Sequence, residues 1–212
     1  MIVTPLVDYR ERVVIVEYGM SNLQSVQNAI ESLGCTAEIT SDPAVIRSAD
    51  RLILPGVGAF GNAMVHLRER GLIEPMRDSV SEGKPFLGIC LGMQLLADES
   101  FEHGRHEGLH FIPGSVRRLS IGEGLRIPHI GWNSVTRSDT CPLYQGVKQQ
   151  ADFYFVHSYY YDAVETSDVN GWCTYGMKFA ASVGRGRVFG VQYHPEKSHR
   201  AGLTLLKNFL LC

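Results

Sequence analysis

Three segments of this chain hold residue types whose spacing could carry out covalent chemistry. The first is KPFLGICLGMQLLA around Cys90. An apolar run leads in, Gly88 stands two residues before the cysteine and Gly92 two after, and a helical pattern over Met93 to Ala97 follows. This is the cysteine form of a nucleophile elbow, a sharp strand-to-helix turn that exposes a side chain at the strand's carboxyl end. The new helix's unpaired N–H groups and positive end favour the reactive thiolate, and the N–H of Leu91 is placed to donate to an oxyanion. A buried strand-end cysteine would show the same lead-in. The second segment, VFGVQYHPEKS, supplies what a thiolate needs, a base with an orienting group. His194 ends a strand, Pro195 stiffens the turn, and the Glu196 carboxylate can reach back to the imidazole. Read alone it is a loop histidine beside a solvated glutamate; with the elbow, the order Cys90, His194, Glu196 completes a triad. The third segment, LPGVGAF (Leu54 to Phe60), lacks the GxGxxG spacing and lysine of a phosphate loop. Either it presents backbone N–H groups to an oxyanion or it is an ordinary strand–helix turn.

These segments need a frame. VVIVEY (Val13 to Tyr18) reads as a buried parallel strand. An amphipathic helix follows over Leu23 to Leu33 and stops at Gly34. Cys35 to Thr40 is a second strand, and a short helix then starts with Asp42 as N-cap and Pro43 at N1. RLILPG is a third strand, residues 61–82 are helical, and KPFLGI is a fourth strand. Such alternation predicts a doubly wound, mostly parallel α/β sheet with helices on both faces. After about residue 110 the segments Gly114 to Leu119, Asn133 to Arg137, Asp152 to Tyr161, Cys173 to Val183 and Val188 to Tyr193 predict additional, antiparallel strands on the same core. A helix over Gly202 to Leu211 ends the chain. No repeat or linker divides the 212 residues, so one domain is expected, with residues 1–12 as an N-terminal extension.

Composition removes several classes of function. Twenty basic against twenty-two acidic residues give a formal charge of −2, with no footprint for nucleic acid or an anionic membrane. No apolar run approaches the ~20 residues that span a bilayer. MIVTPLVDYRER is too short and acidic for a secretory signal. The five cysteines are widely spaced without a CxxC, which disfavours a disulfide framework or a zinc ribbon and fits a reducing cytoplasm. His103, His106 and His110 read as a polar surface loop rather than a metal site. DFYFVHSYYY alternates as a half-buried strand, Trp132 suits core or interface equally, and Lys197 and Ser198 read as solvated.

Taken together, GICLGMQLL, HPEKS and PGVG resemble the class I, triad-type glutamine amidotransferases. More narrowly, EYGMSNLQSV, LPGVGAF, PHIGWN, FYFVHSYY, GVQYHPEKS and LLKNFL resemble the HisH family of glutaminase subunits of imidazole glycerol phosphate synthase. The resemblance covers about residue 13 to the C-terminus. It implies that Cys90 attacks the side-chain amide of L-glutamine, that His194 takes the thiol proton and passes it to leaving ammonia, and that Glu196 orients His194. It implies an oxyanion hole from the N–H groups of Leu91 and Val57 in the Gly56–Val57–Gly58 loop. Gln94, Glu102 and the His157–Ser158–Tyr159 segment would hold the substrate's α-amino and α-carboxylate groups. It also implies a heterodimer with a (β/α)8-barrel synthase that receives the ammonia for imidazole glycerol phosphate and a purine-pathway carboxamide. Asn22, Trp132, Tyr154 and Lys197 match positions at that docking face. No cofactor or metal is implied.

Two departures bear on the ammonia acceptor. Glu17 stands where the family carries aspartate, and Ser21 where glycine is common. A paralogous glutaminase that feeds amidation of a surface-polysaccharide sugar is therefore an alternative, as is a γ-glutamyl hydrolase needing no partner.

Overall fold

The computed structural model describes residues 11–212 except Ser21 and Glu123. Residues 1–10 of the expected extension thus lie outside the described residues. Its last two residues pair beside the sheet, Glu11 with Arg51 and the Arg12 N–H with Asp50.

In chain order the first half comprises β1 (Val13–Val16), α1 (Leu23–Ser32), β2 (Ala37–Thr40), α2 (Pro43–Arg47), β3 (Arg51–Gly56), α3 (Phe60–Glu69), α4 (Ile73–Ser81), β4 (Phe86–Cys90) and α5 (Leu91–Gln94). The second half comprises β5 (Glu99–Ser100), β6 (His106–Glu107), β7 (Gly114–Arg118), β8 (His129–Arg137), β9 (Gln150–His157), β10 (Tyr159–Ala163), β11 (Val169–Tyr175), β12 (Met177–Arg185), β13 (Val188–Val191) and α6 (His199–Leu210). One sheet runs β2-β1-β3-β4-β13-β12-β10-β7-β5-β6, with β11, β8 and β9 continuing from β12 as a separate branch. The strands from β2 to β13 are parallel. β12 is antiparallel to β13 and β10, and β10 to β7, whereas β5 runs parallel to β7 and pairs antiparallel with β6. The expected fold class is the one found.

Side-chain alternation explains why helices cover both faces. Ile15, Ile53, Leu87 and Ile89 enter one core with α1 and α6. Val14, Val16, Leu52, Leu54 and Phe86 enter the other, with α2, α3, α4 and α5. Strands buried on both faces read as continuous apolar runs, as VVIV and RLIL do. Asp42 caps α2 as expected, its Oδ1 accepting from Ala44 N at 2.8 Å.

The helical stretch 61–82 is broken at Gly71 into α3 and α4, β8 starts at His129 and not Asn133, and α6 starts at His199 and not Gly202. Three further differences have identifiable causes. The helical pattern after Cys90 delivers one turn, because the carbonyls of Leu95, Leu96 and Ala97 accept from Leu109, Phe111 and His110 instead of from a further turn. The stretch Asp152 to Tyr161 is two strands divided at Ser158: β9 pairs with β8, while β10 pairs with β7 and β12. Cys173 to Val183 likewise turns back at Gly176, whose φ of +69° suits the glycine there.

The register brings the site together. Gly56 at the end of β3 lies opposite Cys90 at the end of β4, and Ile89 lies opposite Val191 at the end of β13. The loops after β3, β4 and β13 therefore leave one carboxyl edge side by side, where α/β sheets place their sites.

Candidate active site

Cys90 is the last residue of β4 and has φ +55° and ψ −109°. A non-glycine residue held there stores on the order of 1–3 kcal/mol of strain, which the surrounding packing must offset. Gly88 and Gly92 make the turn possible by closeness rather than by φ. A Cβ on Gly92 would run into the Leu54 carbonyl of β3, and one on Gly88 into the backbone of Gly92. The side chain of Cys90 is buried at the rim, with Sγ 3.8 Å from the Val156 carbonyl and 3.8 Å from Gln192 Nε2. With a following helix of four residues, the expected help from a helix dipole reduces to the N–H groups of a single turn.

His194 and Glu196 stand on a 3-10 turn, Pro195–Lys197, beyond β13. The turn is tied to β9: His194 N donates to the Tyr154 carbonyl at 2.9 Å, and Tyr154 N donates to Ser198 Oγ at 3.0 Å. Ser198 Oγ in turn donates to the His194 carbonyl at 2.6 Å. Ser198, read as solvated from sequence, is therefore buried and serves as the clasp of the loop. Lys197 is exposed as expected.

His194 Nδ1 lies 2.8 Å from Glu196 Oε1, and both side chains are buried. Burial alone would lower the imidazole pKa, but the adjacent Cys90 sulfur and Glu196 carboxylate reverse this and raise it to about 9. His194 Nε2 has no well-aligned hydrogen-bond partner among the described residues, yet the Cys90 sulfur is near enough to be the foremost influence raising the imidazole pKa. Catalytic contacts that are loose in the resting state and tighten with substrate are common. Asn22 Nδ2 also donates to Glu196 Oε1, at 2.6 Å. Expected only at a docking face, Asn22 is thus also a partner of the Glu196 carboxylate. Nothing in its local sequence marked that, since 174 residues separate the pair.

A cavity of about 310 Å³ opens in front of Cys90, lined among others by Val57, Gly58, Leu91, Gln94, Glu102 and Tyr159. Of the predicted pocket residues, His157 and Ser158 also line it, whereas Gly56 does not. Gly56 instead packs against the Tyr18 hydroxyl and Leu91. That hydroxyl is buried without a partner among the described residues, and burial with nearby Cys90 keeps it protonated far above its usual range. Gly58, at φ +109°, gives the β3 loop the freedom to set the Val57 peptide.

The polar groups of the cavity have assignable directions. Gln94 Nε2 donates to the Tyr159 carbonyl at 3.1 Å and to Gln192 Oε1 at 3.0 Å. Both partners are acceptors, which leaves Gln94 Oε1 as the end available to a cation. Glu102 Oε2 accepts from Phe60 N at 2.7 Å, so this carboxylate also holds the start of α3. Both ring nitrogens of His157 are engaged within the fold, by Tyr159 O and by His129. Within its segment, Ser158 and Tyr159 are left to meet a substrate. Gln192, fully buried between Gln94 and Cys90, was missed from sequence. Its signal was a glutamine inside the otherwise apolar run VFGVQY.

Trp132 and Tyr154 are cross-strand partners with ring centroids 6.0 Å apart, and Trp132 stacks on His199 at 4.8 Å. Trp132 and Ile130 are exposed at 48% and 60%. Lys197 lines a shallow cavity together with His199, the residue on which Trp132 stacks. Among the described residues there is no group of three or more His, Cys, Asp and Glu side chains placed to hold a metal ion, and no helix is long and apolar enough to cross a membrane. His110 of the histidine-bearing loop contacts Asp98 and Glu107.

Comparison with known proteins places these observations. The model of the glutamine amidotransferase class-I family matches residues 14–212. The imidazole glycerol phosphate synthase subunit HisH of Moorella thermoacetica is 49% identical over 197 residues, covering 93% of each chain. The protein of the same name from Syntrophotalea carbinolica is 48% identical, covering 93% of this chain and 98% of its own. Among solved structures, PurLQS from Thermotoga maritima superimposes with a TM-score of 0.75 at 19% identity, covering 95% of this chain and 98% of that one, a likeness of fold.

Proposed function

This chain belongs to the class I glutamine amidotransferases, and from that premise we propose that it is the glutaminase subunit of an imidazole glycerol phosphate synthase in histidine biosynthesis. The observation that carries the reading is the buried His194–Glu196 pair at the carboxyl edge, its imidazole pKa raised by the sulfur of the elbow residue Cys90. The relatives at 49% and 48% identity carry that subunit's name, which favours it over the sugar-amidation and γ-glutamyl hydrolase alternatives.

In the proposed reaction L-glutamine enters the cavity with its α-ammonium against Gln94 Oε1 and the Glu102 carboxylate. Ser158 and Tyr159 face its α-carboxylate. The side-chain amide then lies at Cys90. The thiol proton rests on His194, whose pKa the sulfur raises, and the thiolate sulfur adds to the amide carbon. The N–H groups of Leu91 and Val57 stabilise the oxyanion that forms. Protonated His194 gives its proton to the leaving nitrogen, so ammonia departs and a thioester remains. His194, now neutral, takes a proton from water as the water attacks the thioester. Glutamate leaves and the thiol is restored. Glu196 keeps the imidazole in one orientation and stabilises its charged form. Neither a metal nor a cofactor enters these steps.

The partner is a synthase subunit with a (β/α)8-barrel, and Trp132, Tyr154, Lys197 and the outer side of Asn22 form the face on which it docks. An exposed tryptophan backed by stacked rings is the kind of anchor that interfaces use. We read residues 1–212 as one glutaminase domain of a cytoplasmic enzyme.

The test uses Cys90→Ala in complex with the synthase subunit. The variant is expected to lose release of glutamate from glutamine, while added ammonia still supports the synthase and the gene still fails to rescue a histidine auxotroph at low ammonia. Retained glutaminase activity would overturn the assignment of the nucleophile. Failure of the unaltered gene, well expressed beside a compatible synthase, to rescue the auxotroph would overturn the pathway.

A further inference from the structure

Beyond the residues given roles above, a line of polar side chains, half-buried at Asn133 and buried at His129 and His157, runs from β8, the strand that carries Trp132, into the cavity wall. It begins from the pocket side with His157, whose Nδ1 lies 2.8 Å from the Tyr159 carbonyl. A carbonyl only accepts, so Nδ1 bears the proton. Burial, above all, holds the His157 pKa down at about 3, so the ring is neutral and Nε2 is a bare lone pair. His129 Nδ1, 3.0 Å away, must then be the donor. His129 is itself kept neutral by burial, with a pKa lowered to about 4, so its Nε2 is an acceptor. The group that meets Nε2 is the Asn133 amide nitrogen at 3.3 Å, which also donates to the Thr174 carbonyl at 3.0 Å. Every partner is therefore consistent with a single direction, from Asn133 through His129 and His157 to the Tyr159 carbonyl. That same carbonyl takes Gln94 Nε2.

We infer that His129 is a positioning residue for the glutamine pocket: by donating from Nδ1 to Nε2 of His157, it locks the His157 ring and the Tyr159 carbonyl, and so aims the Gln94 amide at the substrate's ammonium group. The inference rests on the proposed glutaminase reading for what fills the pocket. His129 has the rigidity this role needs. Its ring stacks between Tyr175, at 4.1 Å, and Phe155, at 4.9 Å, and it is 2% exposed. Opposite it in the ladder stands His157 itself, so strand register and hydrogen bond agree. Because the contact is with the binding wall and not with the reacting atoms, its loss weakens glutamine binding more than it slows the chemistry.

The experiment compares H129F and H129N with the unaltered chain, each bound to the synthase subunit. Phenylalanine keeps the stacking and removes the donor; the asparagine amide nitrogen can take the place of Nδ1. H129F is expected to raise KM for glutamine about tenfold with kcat within about twofold, as for one buried acceptor left without its donor. H129N is expected to restore KM to within about threefold. In the isolated chain, the 15N resonance of His157 Nε2 should move toward that of an unbonded lone pair in H129F and return in H129N. H129L replaces H129F in the comparison if the latter does not fold. An unchanged KM in H129F, or equal loss in both variants, overturns the inference, the second outcome assigning His129 to packing alone. Absence of glutaminase activity in the unaltered complex would instead defeat the functional reading, and this inference with it.

Discussion

Glu196 Oε1 accepts from two groups, His194 and Asn22, and the pair sets how firmly the base is aimed. Replacing Asn22 by alanine removes one charge-assisted hydrogen bond. That costs about 1.5 kcal/mol, so glutaminase kcat, measured at a synthase concentration that saturates the variant, should fall about tenfold, with any weakening of docking read separately. A steady-state assay alongside a binding titration checks both. The raised pKa of His194 makes a second claim. A group whose folded pKa exceeds its unfolded value of about 6.5 stabilises the fold fully below that pH, and the contribution is lost as pH rises through about 9. Between those values the Tm of the protein should fall with rising pH more steeply than that of His194→Gln; equal slopes would contradict the raised pKa. The glycines about Cys90 and the HPE turn made the strand-end cysteine and the His194–Glu196 pair legible because each is a local backbone device that leaves a local sequence mark. Asn22 and His129 left none, since their partners Glu196 and His157 stand far along the chain and only the fold brings them near.

Among the elements, the loop from Pro195 to Ser198 depends on β9 more than on its own residues. Ser198 Oγ links the Tyr154 N–H to the His194 carbonyl, and a serine after HPEK looked like surface until β9 was seen to pass behind it. Ser198→Ala should destabilise the protein by about 1–3 kcal/mol, because the Tyr154 N–H is left without its acceptor. Chemical denaturation measures this, and a loss under about 0.5 kcal/mol would mean the clasp is not structural. Alternation of strands and helices was readable because two-sided burial leaves runs such as VVIV and FLGI. Interruptions were harder. The pattern after Gln94 still looks helical, yet the segment from Gly108 to Ile112 claims those carbonyls, a tertiary competition no local window contains. The division of β9 from β10 at Ser158 is of the same kind, an uninterrupted aromatic alternation split by a change of pairing partner.

In the whole molecule, the proposed docking face and the proposed glutamine cavity are two ends of one arrangement. β8 and β9 carry Trp132 and Tyr154 outward, while His129 and His157 on the same strands point the other chemistry inward. The turn that bears His194 joins them through Tyr154. A synthase subunit seated on Trp132 would thus press on the strands that hold both the base and the pocket wall. The Val57 loop, open at its glycines, adds a peptide that such pressure can set. The claim on which all of this depends is that Cys90 is the atom that bonds to glutamine. A glutamine-analogue electrophile, incubated with the complex and followed by peptide mass spectrometry, tests it most directly. A single adduct on Cys90, formed faster in the complex than in the isolated chain and suppressed by excess glutamine, is the expected result. An active complex that carries no adduct on Cys90, or carries it on another cysteine with loss of activity, would contradict the account.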